Sequence, residues 1–299
     1  MMALQHVKGN TWVYEGSTAL MPLYMVKENE AVIIDTGFAK TDREGLTKLF
    51  DEAVTLRGII CTHAHFDHSG NVRYLQERYG VPVAAHIIEA GIATNTESYR
   101  ANYIGLTYGK TSELFPEECF TADVLIRPGD TTFTLAGAEF TVLPLPGHSA
   151  GHTGIITPDN VAYVGDTILD ESEIPGAKLP TSMFVQRDLE SKANLLHSTC
   201  DAYILAHKSV VENIVPLAEK NIAFLYQKRD EILSCLTDGM TLAQWLDVFC
   251  QKVNIRTRST LKFSIIERNF SNFVAWMTDD QLIEERREYC AKTYYRVEN

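Results

Sequence analysis

The stretch Thr62-His63-Ala64-His65-Phe66-Asp67-His68 places three imidazoles and one carboxylate within six residues. Neutral imidazole and carboxylate together suit a zinc ion, and iron or manganese nearly as well. His63 and His65 stand two apart at the end of an apolar, strand-like run, so both can reach one ion. Asp67 and His68 lie around the following turn and aim at a second. A lone histidine is usually a packed or surface side chain, but four ligand-type groups at this spacing call for a metal. Three more ionisable residues each follow a β-type run: Pro146-Gly147-His148, Val164-Gly165-Asp166 and Leu205-Ala206-His207. A sheet delivers such residues to one rim.

The elements that must position them alternate between strand and helix patterns. Short β-type runs occupy Thr11–Glu15, Leu20–Lys27 and 31–35, the last running into a turn at Asp35-Thr36-Gly37. Residues 42–53 space apolar side chains as a helix does, 56–62 form a buried strand leading into His63, and Ser69 is placed to cap a helix over 70–79 that Gly80 ends. Strands are expected at 81–86, Val124–Ile126, 131–135, 139–143, 153–157, 161–164 and 202–206, with a helix at 188–198. Residues 94–116 are polar and aromatic and read as a loop or broken-helix excursion outside the core, with 99–115 the candidate substrate lid. Beyond Val210 the pattern turns helical, at 211–236, at 242–253 with a Thr241/Gln244 capping box, and at 261–277. The tail 279–297 reads as a helix, or a helix followed by a short hairpin.

The set His63, His65, Asp67, His68, His148, Asp166 and His207, with Asp35 closing an early strand, resembles the metallo-β-lactamase superfamily over residues 10–210. That resemblance implies an α+β fold, a four-layer αββα sandwich with its metals at one edge. Residues 1–212 would form that catalytic domain, and 213–299 a small, mainly helical, winged-helix-like C-terminal domain. Carried over by position, His63, His65 and His148 would bind one metal and Asp67, His68 and His207 a second. Asp166 would bridge both, and Asp35 would hold a ligand in place without touching metal. The implied cofactors are two divalent ions, zinc foremost, with iron or manganese as alternatives. Ions about 3.5–4 Å apart share a water and acidify it toward neutrality. The expected activity is therefore hydrolysis of a small ester, thioester or lactone-like substrate by a metal-bridging hydroxide, with Asp67 orienting the nucleophile or passing its proton to the leaving group. A phosphodiesterase or ribonuclease, and an iron-dependent thiol or persulfide oxidase, remain as alternatives. The ligand set is similar to that of glyoxalase II, but the Asn-Pro-Phe and the basic cluster expected of that enzyme are missing. His86 ends a strand on the same side without a ligand role; His152, His6 and His197 are read as non-ligands, and Cys61 and Cys200 as packing residues.

Composition narrows the partners. The chain has 299 residues, 45% hydrophobic and 22% charged, with net charge −12. Residues 213–299 hold 12 basic and 12 acidic groups, so the whole −12 lies in 1–212. No basic footprint speaks for nucleic acid, and a small-molecule substrate is expected. Mean hydropathy is −0.10, and apolar runs fall far short of a membrane span. Six scattered cysteines without a CxxC, and no signal-peptide pattern, suggest reduced thiols and a cytoplasmic location. The apolar faces of the C-terminal helices must be covered, by the sandwich or by a second subunit in a homodimer.

Overall fold

A computed structural model describes residues 4–102, 106–114 and 118–297. Two sheets face one another. The first runs β1 (Leu4–Lys8), β2 (Thr11–Glu15), β3 (Leu20–Lys27), β4 (Glu30–Ile34), β5 (Thr55–Cys61), β6 (Val83–His86) and β7 (Val124–Ile126), adjacent in that order. Its first four strands pair antiparallel and β4 to β7 parallel. The second holds β8 (Thr132–Leu135), β9 (Ala138–Pro144), β10 (Thr153–Ile156), β11 (Val161–Tyr163), β12 (Ala202–Ile204) and β13 (Val210–Val211), in the order β13-β12-β11-β10-β9-β8.

Helices α1 (Ala39–Glu52), α2 (Phe66–Ser69), α3 (Val72–Tyr79), α4 (Ile87–Ala93), α5 (Thr96–Asn102) and α6 (Tyr108–Leu114) connect the first sheet. Then come α7 (Val185–Leu195), α8 (Val215–Ser234), α9 (Leu242–Lys252) and α10 (Thr260–Asp279), and a hairpin of β14 (Ile283–Glu288) and β15 (Ala291–Arg296).

Strand alternation builds the layers. On β4, Val32 and Ile34 face the second sheet, meeting Phe140, Ile155, Tyr163 and Ile204, while Ile33 faces Leu46, Leu49 and Leu75 of the helices. The outer face of the second sheet, with Leu145, Ala162 and Leu205, packs on Leu195 of α7 and Leu217 and Ala218 of α8. The order is helix, sheet, sheet, helix: the expected αββα sandwich. A further core follows, in which Trp245, Phe249, Phe270 and Trp276 join α8, α9 and α10 to the hairpin. Thr241 and Gln244 form the capping box of α9 as expected.

Two local expectations fail and one strand was not foreseen. Ser69 caps nothing; it ends α2, and its hydroxyl donates to His65 O, while Asn71 stands before α3. The excursion at 94–116 is not wholly outside the core, since Tyr99 of α5 is fully buried with Leu106 and Phe120. Strand β1 escaped notice because Leu4–Lys8 buries no residue fully. The lid expected at 99–115 includes 103–105 and residue 115, which lie outside the described residues.

Candidate metal centre

All seven expected ligands and Asp35 meet at one edge of the sandwich. His63 follows β5, and His65 stands just before the one-turn helix α2, which holds Asp67 and His68. His148 follows β9, Asp166 sits on a tight turn after β11, and His207 lies past β12. The segments that leave the strand ends supply every one, because a strand fixes its terminal residue to within its own register while the next residues are free to turn toward the rim.

Donor atoms form two groups sharing Asp166. One atom each from His63, His65, His148 and Asp166 lie within 4.8 Å of one another, as do one each from Asp67, His68, Asp166 and His207. A third set joins Asp35, His63 and His68. His68 Nε2 is 3.0 Å and His207 Nε2 3.4 Å from Asp166 Oδ1; His148 Nε2 is 3.3 Å from Oδ2.

The outer ring nitrogens are held by the fold, which decides which nitrogen faces the centre. His68 Nδ1 lies 2.8 Å from Asp35 Oδ2, His148 Nδ1 3.2 Å from Thr181 O, and His207 Nδ1 2.6 Å from Thr18 O. Thr62 Oγ1 donates to Asp35 Oδ2 at 2.7 Å and so is left to accept from His63 Nδ1 at 3.0 Å. Each of these four rings turns Nε2 inward. His65 differs, facing His148 Nε2 with its Nδ1 at 2.9 Å.

The charge pattern is split. Burial drives His63 and His148 well below the usual imidazole range. Burial, then the Arg268 guanidinium of α10, lowers His65 to about 4. Burial works the same way on His68, but the charges of Asp166 and Asp35 outweigh it and raise the ring well above its ordinary value. For His207 the hydrogen bond and charge of Asp166 overcome burial and push it up to about 9. Burial would raise Asp166; His68 and His148 pull it well below the carboxylate range instead.

Buried polar atoms are partnered as a rule. Here His63 Nε2 is buried without a hydrogen-bond partner, and His68 Nε2 and Asp166 Oδ1 find no well-aligned one beyond the close approach of the inward-facing groups to each other. Orphaned imidazole and carboxylate atoms pointing at a common space are the donor set a divalent cation fits.

His152 is not among the converging donors. It is buried, its pKa is lowered to about 3 by desolvation, and its Nε2 accepts the Asp166 N–H at 3.2 Å. It therefore fixes the turn that carries Asp166. His86 stands off, capping α4 by accepting the Ile88 N–H. Cys61 is buried and donates to His63 O; burial raises its thiol well above the usual range.

The sequence reading missed Glu89. From α4 its carboxylate accepts from Ala64 N at 2.9 Å, Ser149 Oγ at 2.8 Å and Gly151 N at 2.7 Å. It ties the loop of His63 and His65 to the loop of His148. Its only sequence signal was an acid within the otherwise apolar Ile87-Ile88-Glu89-Ala90 turn. Also unforeseen was the wall behind His148. Asn269 Nδ2 of α10 donates to Thr181 Oγ1 at 3.3 Å and Asn272 Nδ2 to Ser182 O at 2.8 Å, so the C-terminal helix braces the segment that touches this ring.

The chain is similar to known proteins in both sequence and fold. The family profile described as the metallo-beta-lactamase superfamily matches residues 22–207. A solved metallo-beta-lactamase family protein of Thermus thermophilus, TTHA1429, superposes with a TM-score of 0.69 at 17% identity, over 99% of this chain and 98% of that one. Among curated proteins, hydroxyacylglutathione hydrolase GloC of Haemophilus influenzae is 29% identical over 47% of this chain and 62% of its own length. The atrochrysone carboxyl ACP thioesterase of Passalora fulva is 23% identical over 77% of this chain and 63% of its own. The matches to the first three curated relatives span 47%, 66% and 36% of those proteins' lengths. No helix among the described residues is long and apolar enough to cross a membrane.

Proposed function

Because the chain belongs to the metallo-β-lactamase superfamily, we propose that it is a dinuclear hydrolase that adds water to the acyl carbon of a small ester, thioester or lactone-like substrate. The observation that carries this reading is the meeting of two donor sets on the single carboxylate of Asp166. His63, His65 and His148 would hold one ion and Asp67, His68 and His207 the other, with Asp166 shared. An imidazole-rich set with two carboxylates favours zinc, with iron or manganese next. Divalent cations bound here supply Lewis acidity, polarising a carbonyl and acidifying water.

The protein does the rest. Asp35, Thr62, Thr181 and Thr18 lock the rings so that the inward nitrogen carries a lone pair when the outer one is protonated. The partly exposed carboxylate of Asp67, at the first turn of α2, is placed to take the proton of the attacking water on one oxygen and return it to the departing oxygen or sulfur. Water contributes its oxygen to the acyl carbon and its proton to the leaving group, so no further reactant is needed. The names of two relatives, a hydroxyacylglutathione hydrolase and an ACP thioesterase, support acyl chemistry over the phosphodiester and persulfide alternatives.

The test is a metal analysis beside a substrate panel: a thioester, a lactone, bis-p-nitrophenyl phosphate and a persulfide. The expected result is about two ions per chain and turnover of the thioester or lactone. A protein that turns over only the phosphodiester or persulfide overturns the reading.

A further inference from the structure

A cavity of about 240 Å³ opens on the metal centre, with His148, Asp166 and His207 at its mouth. Leu169, Leu179, Pro180, Phe224 and Leu225 form its apolar walls, the last two from α8. The polar side chains that line it are already engaged. Asn221 accepts from Leu169 N at 2.9 Å with its oxygen and donates to Leu169 O and Leu217 O, both at 2.9 Å. Thr181 Oγ1 receives the Asn269 amide. Lys192 and Asp188 are paired one turn apart on α7, and both are nearly inaccessible to water. A charged or strongly polar group entering would lose its hydration and find few unengaged donors or acceptors among these side chains, the spare N–H groups of Lys192 foremost.

We propose that this cavity receives the acyl chain of the substrate, and that the chain is uncharged, aliphatic or aryl, and of medium length. This rests on the acyl-hydrolase reading of the centre at its mouth. A cavity of roughly 150 Å³ accommodates benzene. On that scale the space here fits about nine or ten non-hydrogen atoms. Acyl groups shorter than this leave apolar wall uncovered, and longer ones must displace α8 or spill back through the mouth.

Binding can be measured apart from turnover. The metal-loaded full-length protein is titrated calorimetrically with straight-chain carboxylates from acetate to dodecanoate, as product mimics, and kcat/KM is measured on the matching thioesters. Each added methylene is expected to tighten binding about fourfold until the cavity is full, near eight to ten carbons. Leu169→Trp fills the space and moves that break to shorter chains; Phe224→Ala enlarges it and moves the break to longer ones. The two variants shift in opposite directions, so a general loss of folding cannot imitate the result. Affinity independent of chain length, a break unmoved in both variants, or a dicarboxylate such as suberate binding as tightly as octanoate would each overturn the proposal. The last outcome would mean that Lys192 captures an anion. If chain-length dependence appears in binding while no thioester or ester is cleaved, the cavity stands and the hydrolase reading falls.

Discussion

Glu89 accepts the backbone N–H of Ala64 at 2.9 Å, so a carboxylate from α4 grips the chain between the two histidines His63 and His65. With Ser149 and Gly151 on its other oxygen, it holds three donors at once although burial raises its pKa. Glutamine cannot replace it, because one of the amide's two ends is itself a donor. Glu89→Gln should cost about 1–3 kcal/mol of stability in the metal-free protein. It should also weaken metal binding about 10–100-fold. Chemical denaturation and chelator competition read the two effects. Metal affinity equal to wild type would show that Glu89 braces the fold but not the centre.

Asp166→Ala should lose both ions, whereas His207→Ala should keep the one expected on His63, His65 and His148. Metal content after dialysis, by mass spectrometry, gives about zero and about one per chain respectively, against about two for wild type. Two tightly held ions in Asp166→Ala would remove it from the shared position.

Metal loading should release protons near pH 7.5. Ligand imidazoles must give up an inward proton to bind. His63 and His148 are neutral there because burial lowers them, so they release none. His68, raised well above the usual range, and His207, raised to about 9, are protonated in the metal-free protein. Uptake should therefore expel about two protons from these imidazoles at pH 7.5, beside any from metal-bound water, and progressively fewer from His207 as the pH rises through about 9 and it deprotonates beforehand. Calorimetry in buffers of different ionisation enthalpy counts them. A count of zero at pH 7.5 would contradict the charge pattern.

Gly147→Ala should be among the most damaging single changes. Gly147 has φ of +139°, and an added Cβ would stand 2.2 Å from the backbone nitrogen of Asp188. Strain of about 1–3 kcal/mol from the dihedral adds to a backbone collision that no rotamer relieves. Loss of solubility, or a fall of several degrees in Tm with reduced metal content, is expected. A variant with wild-type Tm would mean the His148 loop is free to shift.

Much of this centre was legible because each ligand candidate is written into the chain beside a strand. The run Leu56-Arg57-Gly58-Ile59-Ile60-Cys61 announces β5, and the residues after it can only be at its end. Pairwise contacts across the fold left no such trace. Glu89 is one acid in a helix until Ala64 and Gly151 are seen beside it. Tyr99 read as excursion because its neighbours are polar, yet one ring reaches the core under Ser69. The C-terminal hairpin stayed ambiguous since β14 is mostly charged, and only Ile283 and Tyr294 of the two strands are buried.

Helix α8 contributes to two cores at once. Leu217 and Ala218 near its start pack under the second sheet, while Leu225 and Ile232 farther along pack with Trp245 and Phe270. Twenty residues of helix make a rod of about 30 Å whose two ends are each buried in a different core, so loss of either core removes part of what holds the helix. Unfolding should therefore be cooperative across the whole chain, with a single transition in calorimetry. It follows that the C-terminal helices could not be exchanged between relatives by cutting at 212, since the joint would divide a rod from the core it completes.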